Sequence, residues 1–286
     1  MKTSDYLKKY GITLKKSLGQ NFLANDDYAR RIVEAVGVKS DDVVLEIGAG
    51  AGTLTIALAR TGAQIFAVEI DNRLKPILEE RLSGFKNVEL VFEDFLRLDL
   101  SFLPKFYRCV SNIPYYITAP IIKKLLFTDF SDLVLMVQRE VGDRLAEKPG
   151  SSNRGFLSVV VQTIGTVERV LTVPRSAFVP NPEVESVVLR IRKRETVPFQ
   201  NHEELFDFWD FVSKSFSRKR KTITNNLKSF VPLENLASVL GPIPGNLRPE
   251  ELSEDDFVQM WQRYREIFRD CVVEGREVND SPHSGR

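Results

Sequence analysis

The chain has 286 residues, 43% of them hydrophobic, and its 40 Lys and Arg nearly balance 39 Asp and Glu, which excludes a uniformly basic nucleic-acid binder. That length buries one substantial core and a smaller second one, and two isolated cysteines and two isolated histidines support neither a disulfide framework nor a metal centre. With no apolar run of roughly 18 residues and no signal-peptide core at residues 1–5, the expectation is a cytoplasmic protein without membrane or metal partners.

Basic residues open the chain at Lys8, Lys9, Lys15 and Lys16. Asn25 is placed to cap an amphipathic helix over 26–36 that Gly37 ends. Residues 42–47 read as a first buried strand, 48–52 as a glycine loop and 53–60 as a helix. A second strand over 65–69 precedes a helix over 73–82 with Pro76 in its first turn, and a third strand over 88–92 ends on Glu93, Asp94 and Phe95. The alternation continues with strand 108–112, helix 119–126, strand 133–137 and helix 139–147. After a surface loop at 148–153, a helix over 156–164 crosses to strands over 167–173 and 184–191. Alternating short strands and helices predict an α/β fold with a parallel, doubly wound sheet.

Beyond residue 195 the texture changes to helix-length patterns at 206–214, 221–228, 234–240 and 255–268. The predicted organisation is a catalytic domain over 1–195, a smaller all-helical domain over 196–270, and a disordered tail over 271–286 whose end lacks apolar residues.

Gly48, Gly50 and Gly52 alternate directly after the first strand, where glycine lets the backbone approach a ligand closely. Glu69, at the end of the next strand, suits a ribose diol, and Asp94 at the third strand's tip suits an adenine amine. A structural turn and an NAD site also use such loops, but the Gly-x-Gly-x-Gly spacing leans toward S-adenosylmethionine.

Ser111, Asn112, Ile113, Pro114, Tyr115 and Tyr116 follow the apolar pair Cys109 and Val110, at the end of a buried strand. An Asn carboxamide oxygen and the Ile113 carbonyl, held rigid by Pro114, can accept both hydrogens of an exocyclic amine while Tyr115 stacks on the base. The same residues also make an ordinary turn. Two runs, 190–194 and 214–221, are strongly basic, as either solvated faces or phosphate contacts.

Taken jointly, 18–23 (Leu-Gly-Gln-Asn-Phe-Leu), 46–52, 68–71, 93–95, 112–115 and 178–186 make the chain resemble the small-subunit ribosomal RNA adenine N6,N6-dimethyltransferases, with a Rossmann-like class I methyltransferase sheet. The resemblance implies that Asn21 and Leu23 close over S-adenosylmethionine, that Gly48 and Gly50 approach its methionine portion, that Glu69 takes the ribose and Asp94 the adenine. Asn112 borders both cofactor and target, Tyr115 stacks on the target adenine, and Phe178 supplies a second aromatic surface. Arg218, Lys219, Arg220 and Lys221 then dock RNA. The implied partner is small-subunit ribosomal RNA or a pre-ribosomal small subunit, met by a monomer. Tyr116 departs from the pattern, since Asn is frequent there in relatives.

Competing readings are an erythromycin-resistance-type enzyme acting on large-subunit RNA, a DNA adenine-N6 methyltransferase, a non-catalytic RNA-binding, assembly or transcription factor, and, last, an NAD-dependent oxidoreductase. The 217–222 segment favours the small-subunit enzymes over the first, and intact Glu69, Asp94 and Asn112 speak against a loss of catalysis.

Overall fold

The computed structural model describes residues 1–14 and 19–274. Its first unit, Met1–Ala146 with Ile164–Val197, begins with α1 (Thr3–Lys9), β1 (Phe22–Leu23) and α2 (Asp26–Val36). Asn25 Oδ1 accepts the backbone N–H groups of Asp27 (3.0 Å) and Tyr28 (3.2 Å), two donors that a helix start leaves unpaired, and Gly37 at φ 64° closes α2. There follow β2 (Val43–Ile47), α3 (Thr53–Ala59), β3 (Gln64–Glu69), α4 (Lys75–Leu82), β4 (Val88–Phe92), β5 (Tyr107–Asn112), α5 (Thr118–Leu126), β6 (Phe130–Gln138) and α6 (Arg139–Ala146). After α7 (Phe156–Ile164) come β7 (Gly165–Val173), β8 (Phe178–Val179) and β9 (Ser186–Lys193).

The large sheet has the order β4-β3-β2-β5-β6-β9-β7. Strands β2 to β6 pair in parallel, whereas β9 runs antiparallel to both β6 and β7. Between β7 and β9 lies no crossover helix, only a short 3-10 turn and β8, so the chain returns in the opposite sense and inserts β9 beside β6. Val44–Ile47 and Tyr107–Ser111 are buried at every position, because helices cover both sheet faces. The core beneath α2 and α3 joins Ile32, Val33 and Leu58 to Val44, Ile65, Val110 and Met136.

At the sheet's opposite end from the glycine loop, the buried Arg108 guanidinium donates to the α2 carbonyl of Val36 (2.8 Å), to Gly37 O (3.0 Å) and to Asp42 (2.8 Å) and Asp132 (3.0 Å). Arg190 reaches Asp132 from β9 at 2.7 Å; burial pushes the Asp132 carboxyl up, but Arg190 and Arg108 together outweigh it and hold the carboxyl below its ordinary range. The basic run at 190–194 is thereby spent largely within the fold: Arg190 on Asp132, and Lys193 on Asp129 at 3.6 Å.

The second unit joins Glu147–Thr163 to the chain beyond Pro198, so residues 147–163, expected in the first domain, group with the helices. The reason is specific: the fully buried Arg154 guanidinium donates to Leu252 O and pairs with Glu254, and Phe156 meets Trp209 edge-on at 5.4 Å. The helices are α8 (His202–Ser215), α9 (Ile223–Leu227), α10 (Leu236–Leu240) and α11 (Glu254–Glu274), around Phe208, Phe211, Phe257 and Trp261. Helix α11 takes in residues 271–274 of the tail expected to be disordered, and 275–286 lie outside the described residues, as do Lys15, Lys16 and Leu18.

Candidate active site

From β2 the chain winds outward through β3 to β4 and then crosses back to β5 on the other side of β2. At that reversal the loops leaving β2 and β5 part, and a crevice opens beyond the carboxyl ends of the strands. A cavity of about 220 Å³ lies there, lined among others by Asn21, Gly48, Gly50, Glu69, Asp94 and Asn112. Ile113, Pro114 and Tyr115 line it as well, as do Gln20, Ile70 and Tyr116, to which sequence reasoning assigned no role.

The glycine loop is tied down by β3. Gly48 N donates to Val68 O at 2.8 Å, and Gly50 N donates to Glu69 Oε2 at 2.8 Å. Gly50 has φ 58°, and a Cβ on it would stand 2.7 Å from the Phe22 ring, so this turn admits only glycine. Glu69 Oε1 accepts the Asp71 N–H at 2.9 Å, and burial pushes the Glu69 carboxyl up from its ordinary range. One residue into the same core, Glu46 is 1% exposed, its Oε2 has no partner, and burial raises its carboxyl to about 8.

Asp71 is a residue the sequence reading quoted without a role. Its carboxylate accepts Arg73 Nε (2.8 Å) and Gln20 Nε2 (2.8 Å), and Arg73, the leading cause, holds it down at about 2. Arg73 also donates to Thr13 O at 3.0 Å. The segment from Gly19 to Ala24, whose residues Gly19 to Phe22 line the cavity, is a strap held at both ends: Ala24 N donates to Ala177 O at 2.8 Å, and β1 pairs with β8 through Phe22–Val179 and Leu23–Phe178. Gly19, at φ 55°, presses on Tyr116, whose ring lies 2.8 Å from where a Cβ would be.

Asp94 stands at the β4 end, accepting the Leu96 N–H at 3.0 Å, with Arg97 at 3.8 Å. The loop behind it is fastened by Lys124 of α5, which donates to Phe95 O at 2.6 Å and to Leu98 O. Burial lowers the Lys124 ammonium from its ordinary range.

Asn112 ends β5, and its Nδ2 donates to Asn21 O at 3.1 Å. That bond turns the carboxamide so that Oδ1 is its acceptor for whatever enters. Tyr115 opens a 3-10 turn, its hydroxyl 2.6 Å from Ser186 Oγ, and burial raises its phenol from the ordinary value.

One expected site residue stands elsewhere. Phe178 is 1% exposed and packs in the core with Phe22 and Ala177, where its β8 pairing with Leu23 turns it inward, so it offers no stacking surface to the cavity. Leu23, 4% exposed, lines a small recess that shares Gly48, Gly50 and Asn112 with the cavity and is closed by Glu46 and Leu54. Arg218, Lys219, Arg220 and Lys221 belong to the second unit and are all exposed. Their loop is shaped by the buried Asn226, whose Oδ1 accepts Arg218 N at 2.8 Å and whose Nδ2 donates to Thr222 O at 3.2 Å.

Among the described residues no cluster of His, Cys, Asp and Glu could hold a metal, and no helix is long and apolar enough to cross a membrane. Residues 11–266 match the family model described as "Ribosomal RNA adenine dimethylase". The chain is 49% identical over 275 residues to the Ribosomal RNA small subunit methyltransferase A of Thermotoga petrophila, covering 96% of this chain and 100% of that one. It is 40% identical to the protein of the same name from Geobacillus thermodenitrificans, covering 94% and 97% of the two chains. Among solved structures, a dimethyladenosine transferase from Plasmodium falciparum matches with TM-score 0.74 and 30% identity over 86% of this chain and 98% of its own. The 23S rRNA methyltransferase ErmE matches with TM-score 0.68 and 28% identity over 85% and 99%.

Proposed function

Because the chain belongs to the ribosomal RNA adenine dimethylase family, we propose that it uses S-adenosylmethionine to dimethylate N6 of two adjacent adenosines in a hairpin loop near the 3′ end of small-subunit ribosomal RNA. The observation that carries this reading is the Asn112 carboxamide, turned by its Nδ2 bond to Asn21 O so that Oδ1 serves an incoming amine.

The cavity fits the cofactor on its own terms. The tight turn at Gly50, with no Cβ in the way, lets the loop backbone come close to a ligand, Glu69 ends β3 beside it, and apolar Ile70 and Leu96 line the same cavity as Glu69 and Asp94, a surface that suits a purine. S-adenosylmethionine, when bound, supplies an electrophilic methyl group. In this assignment Asn21 closes the mouth, Gly48 and Gly50 face the amino-acid end, Glu69 accepts from the ribose hydroxyls, and Asp94 accepts from the adenine amine.

The adenine N6 lone pair is delocalised into its ring, so the amine is a poor nucleophile. Asn112 Oδ1 and the Ile113 carbonyl, stiffened by Pro114, accept its two hydrogens and bias the nitrogen toward tetrahedral geometry. No strong base is required, because the proton on the alkylated nitrogen is acidic enough to leave to solvent. Tyr115 stacks on the base, worth about 1–3 kcal/mol by general experience with aromatic platforms, which helps offset unstacking from the RNA. With Phe178 in the core, Tyr115 and the neighbouring Tyr116 are the aromatic side chains of the motif that line the cavity. Arg218, Lys219, Arg220 and Lys221 contact phosphates of the pre-ribosomal small subunit in the cytoplasm.

The test is methyl-label transfer from S-adenosylmethionine to small-subunit particles that lack the modification, followed by mapping of the label. Label on N6 of two neighbouring adenosines near the 3′ end is the expected result. Label in large-subunit RNA or in DNA, or none, overturns the proposal.

A further inference from the structure

The Tyr115 hydroxyl and Ser186 Oγ stand 2.6 Å apart although the two residues are 71 positions apart in sequence. Tyr115 leaves the tip of β5, and Ser186 is the first residue of β9, with β6 between them in the sheet. Because β9 runs antiparallel to β6, its first residue comes to the end of the sheet where the parallel strands finish, opposite Gln138, the last residue of β6. The side chain of Tyr115 therefore bridges across the end of β6.

Ser186 is a rigid anchor. It is wholly buried, and its backbone is paired on both sides, with Gln138 in β6 and Val173 in β7. The other end of the bridge is also fixed: Thr118 Oγ1 donates to Tyr115 O at 3.1 Å, and Ile117 N donates to Pro114 O at 3.2 Å. With the backbone held by the turn and the para position held by the serine, the ring loses its freedom to swing about its side-chain torsions. A ring held at both ends presents a stacking face without paying torsional entropy when the base arrives.

We propose that Ser186 is a positioning residue for methyl transfer, acting through the Tyr115 hydroxyl to hold the ring in its stacking orientation. The inference rests on the reading of Tyr115 as the ring that stacks on the target adenine. Serine suits the place because its hydroxyl both donates and accepts, and because its side chain is short enough to stay buried beneath the ring.

A double-mutant cycle tests this, using the full chain, small-subunit particles that lack the modification, and single-turnover rates. Ser186→Ala and Tyr115→Phe should each lower the rate about 3- to 10-fold, the size expected for one buried hydrogen bond. Cofactor affinity by calorimetry should stay unchanged, and the double variant should be no slower than the slower single one. If Ser186→Ala costs as much in the Tyr115→Phe background as in the wild type, the serine acts elsewhere and the proposal falls. Should Ser186→Ala fail to fold, Tyr115→Phe decides alone, and a wild-type rate for it overturns the tether. A wild-type rate for Tyr115→Ala would instead overturn the stacking reading on which the tether rests.

Discussion

The Glu69 carboxylate accepts the Gly50 N–H at 2.8 Å through one oxygen and the Asp71 N–H at 2.9 Å through the other. The acid proposed to meet the cofactor's ribose thus also sets the loop proposed to meet its amino-acid end. Glu69→Ala should weaken S-adenosylmethionine binding about 10- to 100-fold by calorimetry, as loss of charge-assisted hydrogen bonds does. Glu69→Gln should not restore it, because an amide NH2 would face backbone donors. Unaltered affinity for Glu69→Ala would contradict the cofactor assignment.

Asn112 carries two tasks through one carboxamide, Nδ2 to the strap at Asn21 O and Oδ1 to the target amine. Asn112→Ala should slow single-turnover methylation about 100-fold or more, the usual scale for removing one preorganised polar group at a reacting centre. Cofactor affinity should fall as well, by a smaller factor, because the strap loses its tie. A near-wild-type rate would leave the amine without its acceptor and sink the mechanism.

The exposed loop carrying Arg218, Lys219, Arg220 and Lys221 is held by the wholly buried Asn226. Replacing the four basic residues with Gln should weaken particle binding and flatten its salt dependence, while cofactor affinity stays put. Asn226→Ala should flatten the same slope with all four charges still present, because the loop loses its shape. An equal drop in cofactor affinity in the four-residue variant would mean that the segment is structural.

Glu46 has no partner for Oε2, and burial raises its carboxyl to about 8. An unfolded glutamate ionises near pH 4.3, so between that pH and about 8 the folded chain binds a proton that the unfolded chain has released. This residue's contribution to stability therefore declines as pH rises through that window. Glu46→Gln, which keeps the neutral shape, should melt at a similar temperature to the wild type near pH 5 and increasingly above it toward pH 8. Parallel melting curves across the range would show that the carboxyl is already ionised.

Much of the site was legible in the sequence because its signals are local. Strand and helix alternation, the Asn25 cap and the Gly37 stop follow from side-chain periodicity and backbone preference within a few residues. Once the strands are known to be parallel, Gly48, Glu69, Asp94 and Asn112 must gather at the carboxyl end of the sheet, since each follows or ends a strand running the same way. What the tertiary structure alone decided are relationships between distant segments that leave no periodic trace. Two-residue strands β1 and β8 turned Phe178 into the core, a carboxylate at Asp71 clasped Gln20 and Arg73, and the buried Arg154 drew residues 147–163 to the second unit. The antiparallel return of β9 likewise brought Ser186 to Tyr115. Each depends on satisfying a particular buried polar group or filling a particular space, and that requirement exists only after the chain has folded around it.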